Sequence, residues 1–315
     1  MLVAIVAAAV RTASPAAVGT EQAAEIAGPA GPLAGTFRSG ADGAPVVVII
    51  PGSGPTDRDG NNPLGVKAAP YRLLAERLSA MGVSTLRVDK RGLFGSKAAL
   101  TDPAKVTFAD YAADARAWAA KARELSGAKC AWVGGHSEGA LVALVAGQQP
   151  AGLCGIVSIS GTGRPIGAVL REQVRANPAN APFLDPAMAA IETLEKGGSV
   201  DATKLPAPLV PLFHASVQPF MRDWMAHDPA KLAGALKLPL LIVQGGRDLQ
   251  VSVADANALH AAQPESELSV VTEANHVLKA VPEGDRAANM ASYGDAALPL
   301  AAGIAEAIAN FVKRQ

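Results

Sequence analysis

The run Gly135, His136, Ser137, Glu138, Gly139 sets a serine hydroxyl between two glycines, with the apolar stretch CAWVG before it and the helical stretch ALVALVAGQQ after it. That context matters more than the pattern. A strand-to-helix turn sharp enough to lift a serine Oγ above a sheet edge strains the backbone, and flanking glycines remove the Cβ clashes it would create. The helix that begins there aims its first amides, starting with that of Glu138, at charge developing on an attacked carbonyl oxygen. A serine hydroxyl is a weak nucleophile at neutral pH and needs a base in hydrogen-bond reach, oriented in turn by a carboxylate. The chain has 5 histidines. His136 is expected to point away along the turn, His214 and His227 fall in a long insertion, and His260 lies within a helix. His276 stands in the loop EANHVLK after the last predicted strand, where a base reaches the top of a sheet. Asp248, in QGGRDLQV, follows the strand LPLLIVQ with glycines that permit a tight turn. Ser137, Asp248 and His276 thus fall at strand C-termini in a chain order that suits a triad, and these three are the expected nucleophile, acid and base. The plainer alternatives are an N-cap role for Asp248 ahead of a helix near Ser252, and a solvated loop position for His276.

A second donor to the oxyanion should come from the glycine-rich loop PGSGPTDRDGNN, whose backbone can approach a substrate closely. The Ser53 amide is the expected donor there, with Gly54 next, alongside the Glu138 amide. The loop lacks the spacing and the GK[ST] ending of a phosphate cradle. Asp57, Arg58 and Asp59 read as a surface turn network, and Asp89, Arg91 and Gly95 in VDKRGLFGS as a turn held by a charge pair.

The elements that must position these residues alternate between short apolar runs and longer amphipathic ones, the pattern of a mostly parallel sheet with helices on both faces, an α/β fold. Strands are expected over 45–50, 83–89, 130–134, 155–160, 238–244 and 267–272, and helices over 71–81, 108–125 (capped by Thr107) and 300–313. The core is then residues 29–161 and 238–315. The interval 162–237 is too long for a plain connection and reads as a helical cap. Within it Leu209, Phe213, Phe220 and Met221, with Leu205 and Leu212, are candidates to line an apolar substrate pocket, the alternative being that they pack the cap onto the sheet. Asp185, Glu192, Asp223 and Asp228 are the cap carboxylates available to hold a substrate amino group.

With 315 residues, 50% hydrophobic and 18% charged, the chain can bury one large core. Lys plus Arg and Asp plus Glu are equal at 28 each, so no net field recruits a polyanion and nucleic acid is not an expected partner. An apolar run over 2–10, then Arg11 and TASPAAVG, makes residues 1–28 resemble a secretory leader, too short to span a bilayer. A periplasmic or secreted location is expected, with the cytoplasm as the alternative, and no stable membrane insertion. Neither Cys130 nor Cys154 sits in a CxxC pair or near a histidine cluster, and no HExxH occurs, so no metal and no cofactor are expected. The two cysteines open consecutive predicted strands. Parallel neighbours lie about 4.8 Å apart, which is compatible with a disulfide; two buried thiols fit equally well.

The runs PGSGPTDRDGN, RVDKRGLFGS, GHSEGA, QGGRDLQVS and NHVLK resemble those of bacterial α/β hydrolases with a serine aminopeptidase-like hydrolase domain, many of them esterases, from about residue 32 to the C-terminus. The resemblance implies an α/β hydrolase fold, a nucleophile at Ser137, an acid at Asp248, a base at His276 and oxyanion amides near Ser53 and Glu138. Many such proteins carry a histidine before the glycine of the oxyanion loop, where Pro51 stands here. The expected activity is hydrolysis of a small-molecule carboxylic ester, with a small to medium acyl or aryl group, through an acyl-enzyme. An aminopeptidase, amidase or thioesterase on the same triad is the alternative, and a catalytically silent binding module the non-enzymatic one.

Overall fold

A computed structural model describes residues 19–315. Eight strands, β1 (Glu21–Ala27), β2 (Pro32–Arg38), β3 (Val46–Ile50), β4 (Ser84–Val88), β5 (Ala131–His136), β6 (Leu153–Ile159), β7 (Leu240–Gly245) and β8 (Glu267–Val271), form one sheet in the order β1-β2-β4-β3-β5-β6-β7-β8. β4, β3, β5, β6, β7 and β8 run parallel to one another, while β2 pairs antiparallel with both β1 and β4. Every residue of β3, β4, β5 and β7 is buried, which is why these strands read as unbroken apolar runs.

The β1–β2 hairpin corrects the expected leader boundary. Residues 1–18 of that leader lie outside the described residues, but Glu21–Ala27 belongs to the sheet, so the core starts before residue 28. β1 buries only Ala24; an edge strand so exposed carries no apolar alternation to announce it.

The helices are α1 (Pro70–Ala80), α2 (Phe108–Ser126), α3 (Glu138–Gly147), α4 (Ile166–Ala176), α5 (Leu184–Glu195), α6 (Val210–Phe213), α7 (Gln218–Met225), α8 (Pro229–Ala235), α9 (Val253–Ala262), α10 (Arg286–Ala291) and α11 (Ile304–Arg314). α2, α3 and α9 cover one face of the sheet around Trp118, and α1 and α11 the other around Trp132 and Phe311. Each large apolar side chain so buried contributes about 1.5–3 kcal/mol. α2 starts on a reciprocal cap, the Thr107 hydroxyl accepting from the Asp110 amide and the Asp110 carboxylate from the Thr107 amide, and stops at Gly127, whose φ of 73° is left-handed. Caps of this kind hold a helix end by about 1 kcal/mol.

Cys130 and Cys154 are joined in a disulfide with Cα atoms 5.1 Å apart. It ties the entries of β5 and β6, the ends remote from Ser137. Between β6 and β7 the chain forms α4 to α8, and α4, α5, α6 and α7 close on an apolar cluster of their own. Among the described residues no helix is long and apolar enough to cross a membrane.

Candidate active site

β5 runs directly into Ser137, which has φ 55° and ψ −118°, and α3 starts at the next residue. Such a conformation costs a non-glycine residue about 1–3 kcal/mol and persists only where the surroundings enforce it. Here the enforcement is close packing: a Cβ on Gly135 would overlap the Gly139 carbonyl, and a Cβ on Gly139 would overlap the Ile50 carbonyl. The two glycines of the motif are there so that β5, α3 and the end of β3 can touch. The β3–β5 register pairs Ile50 with Gly135, and two residues further along each strand Gly52 stands level with Ser137. A Cβ built on Gly52 would lie 3.3 Å from the Ser137 Cβ, so the glycine-rich loop lies directly against the serine. Neither the Ser53 nor the Glu138 amide donates a hydrogen bond among the described residues, and Ser53 lines the same cavity as Ser137.

Asp248 follows β7 by three residues and His276 follows β8 by five. The His276 Nδ1 donates to Asp248 Oδ2 at 2.7 Å, and the two side chains are 7% and 0% exposed. The other Asp248 oxygen accepts from the Gln250 and Val251 amides at 2.7 and 3.0 Å. Burial pushes this carboxyl up, but the His276 charge, its hydrogen bond and the two amides together hold it below the usual carboxylate range. Asp248 is therefore no helix cap; α9 is capped by Ser252 with Asp255. The acid and base loops are also joined to each other: the Arg247 amide donates to Ala274 O at 2.9 Å, and Asn289 of α10 bridges them, donating to Arg247 O at 2.8 Å and accepting from the Asn275 side chain at 3.1 Å. With Nδ1–H committed to the carboxylate, the lone pair of His276 is on Nε2. Ser137 and His276 line one cavity of about 160 Å³. No hydrogen bond joins the Ser137 hydroxyl to the ring among the described residues; such bonds often tighten only once substrate is bound.

His136 does not point away along the turn. It is turned beneath the site, buried, with its ring centroid 4.7 Å from that of His276. Its Nε2–H donates to the His276 carbonyl at 2.8 Å, and its Nδ1 accepts from the Tyr71 hydroxyl at 2.9 Å. Tyr71 Oη in turn accepts from the Gly52 amide at 3.1 Å. One chain of hydrogen bonds thus links the glycine-rich loop, the residue before Ser137 and the backbone of His276. Burial, and then the charge on His276, lower the His136 pKa to about 3, so the ring is neutral, as this donor pattern requires. The only sign of it in the sequence was a histidine adjoining the serine; Tyr71 carried none.

The charged residues of the neighbouring loops pair differently from expectation. Asp89 is held by Arg58 (Nη2 to Oδ2, 2.6 Å) and by the Gly95 amide (3.0 Å), whereas Arg91 pairs with Asp114 and Asp110 on α2. Arg58 therefore crosses between loops and is not part of a local surface turn.

The structure does not bring the four expected substrate-binding residues to the cavity. Leu209, Phe213 and Met221 are buried in the insertion's own cluster, and Phe220 stacks on Phe108 with centroids 5.1 Å apart. Of the cap carboxylates, Asp223 accepts from the Phe108 amide at the start of α2, Asp228 caps α8 and Glu192 pairs with Lys196; none of them, nor Asp185, lines the cavity. Its walls are Thr56, Asn62, Val66, Gln250, Val277 and Tyr293, loop residues that no periodic pattern marks. Burial pushes the Tyr293 hydroxyl up to about 12, so it stays protonated. Among the described residues no group of three or more His, Cys, Asp or Glu is placed to hold a metal ion.

An Asp–His pair and a strained serine at the C-terminal edge of a sheet in this strand order define an α/β hydrolase architecture. The model of the alpha/beta hydrolase family matches residues 47–292, and the chain belongs to that family. It is 29% identical over 225 residues to Esterase EstD of Thermotoga maritima, an alignment covering 70% of this chain and 50% of that protein; the chain thus spans about half the length of the curated relative it matches. Among solved structures, the Pyrococcus furiosus esterase Pf2001 superposes with a TM-score of 0.57 at 19% identity, covering 94% of this chain and 91% of that one. Est1E from Butyrivibrio proteoclasticus superposes with a TM-score of 0.55 at 17% identity, covering 93% and 98%. At these identities the two structures speak to the fold.

Proposed function

We propose that the chain is a serine carboxylesterase acting on esters with short acyl groups. His276 Nε2 takes the proton of Ser137 Oγ as the oxygen attacks the ester carbonyl. The Ser53 and Glu138 amides receive the oxyanion, the alcohol leaves with the proton carried by His276, and water, deprotonated by the same ring, releases the acid from the acyl-enzyme. Asp248 keeps the ring in its working tautomer and offsets the positive charge that forms on it. The similarity to Esterase EstD supports the ester class.

The observation that carries this reading is the Asp248–His276 pair at 2.7 Å, whose imidazole lines the same cavity as Ser137. That cavity is lined by no carboxylate, which favours an ester over a substrate whose free amino group must be held. Its volume of about 160 Å³ favours short acyl chains over long ones. In this reading the insertion caps only the rim, where Gln173 of α4 reaches Gln250 O at 2.8 Å. A panel of nitrophenyl esters of increasing chain length, run beside aminoacyl anilides, tests it: acetate and butyrate esters should turn over fastest and anilides negligibly, and anilide turnover exceeding that of the esters would reverse the reading. We place the protein outside the reducing cytoplasm on the strength of the Cys130–Cys154 bridge; thiol alkylation of the protein from its native compartment should find no free cysteine.

A further inference from the structure

We infer that Lys90 is a positioning residue of the oxyanion hole, its ammonium setting the direction and donor strength of the Ser53 amide; this rests on the reading of Ser53 and Ser137 given above. Lys90 is 6% exposed. Its Nζ donates to Gly52 O at 2.7 Å and to Glu138 Oε1 at 2.9 Å and lies 5.6 Å from the centre of the Tyr111 ring. A buried ammonium is costly unless its charge and its donors are met, and here what meets them is the immediate support of the two proposed oxyanion donors.

The geometry follows from the peptide bond. Gly52 C=O and Ser53 N–H belong to one planar group, and in a trans peptide they point in opposite directions; among the described residues no peptide bond is cis. Lys90 holds the carbonyl on the protein side, so the Ser53 N–H is turned the other way, toward the cavity that Ser53 lines. The Gly52 amide is tied by Tyr71 Oη, and with both its polar groups engaged Gly52 cannot rotate the next peptide away. A charged donor on the carbonyl also polarises the same amide, making its N–H a stronger donor. The second contact of Lys90 reaches the side chain of Glu138, whose backbone amide is the other proposed donor, so one cation ties the two halves of the hole. Its place is set by the sheet: β3 and β4 pair Ile49 with Arg87, and three residues beyond each lie Gly52 and Lys90.

The test uses the full chain with Lys90→Met and with Lys90→Met/Glu138→Gln, the second of which removes the carboxylate that the first leaves buried and unpaired. For each, kcat and KM are measured on nitrophenyl acetate, together with the affinity for a trifluoromethyl ketone, which adds to the serine and places an oxyanion in the hole. Both variants should lose about 10- to 100-fold in kcat, somewhat less than deletion of a direct donor. KM should hold within about twofold, and ketone affinity should fall by the factor lost from kcat, because only the charged adduct feels the amide. If the single variant does not fold, the double variant decides. Wild-type kcat and ketone affinity in a folded variant, or a kcat loss without a matching loss of ketone affinity, would overturn the inference. Ser137→Ala, run in parallel, separates the layers: turnover lost in that variant but intact in Lys90→Met defeats the Lys90 role alone, whereas turnover surviving Ser137→Ala defeats the esterase reading and the Lys90 role with it.

Discussion

The C-terminal edge of the sheet and the helical insertion bury opposite kinds of side chain. At the edge, Asp248, His276, His136, Lys90 and Glu138 are all taken out of solvent, each answered by a hydrogen bond of 2.9 Å or less. In the insertion the buried cluster is Val174, Ala187, Ala190, Ile191, Leu194, Leu209, Phe213 and Met221, with the buried amide of Gln218 beside it met by the Val200 and Phe213 carbonyls. Buried polar groups hold one geometry because any other leaves a donor or charge unmet, whereas an apolar cluster tolerates rearrangement provided volume is kept. The difference assigns precise chemistry to the sheet edge and bulk to the insertion, and the cavity beside Ser137, walled by core loops, agrees with that division.

The hardest blow to the first region is Asp248→Asn, which leaves His276 in the wrong tautomer. We expect kcat on short esters to fall by about 10⁴-fold; activity near wild type would remove the polar edge from the chemistry. The sharpest probe of the second region is Phe213→Ala. It should cost about 3–5 kcal/mol of stability in denaturant titration while kcat/KM for nitrophenyl acetate stays within about threefold wherever the protein is folded. A large kinetic loss without a loss of stability would put the insertion into the substrate site after all. Removing the disulfide with Cys130→Ala/Cys154→Ala, remote from Ser137, should cost about 3 kcal/mol and leave short-ester kinetics unchanged, read by the same two assays.

The last effect concerns acid. His136 titrates near 6.5 when unfolded and is lowered to about 3 in the fold, so over that interval the unfolded chain binds a proton that the native one refuses. Stability from this group is complete above about pH 6.5 and declines as pH falls toward 3, by at most about 1.4 kcal/mol per pH unit. His136→Gln should flatten the measured slope between pH 6.5 and 4; an unchanged slope would mean that the buried ring contributes nothing to acid sensitivity.

The placement of Ser137, Asp248 and His276 past the C-termini of β5, β7 and β8 was legible because parallel strands advertise themselves as apolar runs, and the residues just past their C-termini are fixed to one edge by the topology. β1 escaped notice because an exposed edge strand of the composition EQAAEIA has no apolar period. The cap residues misled for a different reason: a leucine or phenylalanine at helical spacing looks the same whether it faces a ligand or a neighbouring helix. Lys90 was hidden because its partners are set by register across β3, β4 and β5, and register leaves no trace in any one segment; His136 and Tyr71 were hidden because they meet each other and the His276 carbonyl from a strand, a helix and a loop far apart in the chain. The same holds for Arg58 reaching Asp89 across 31 positions while Arg91 turns to α2.

The most direct test of the central claim is covalent. Treated with a fluorophosphonate and analysed by intact and peptide mass spectrometry, the protein should gain one adduct, on Ser137, and the Ser137→Ala variant none. An adduct on another residue, or none on a folded wild-type protein that hydrolyses esters, would contradict the account.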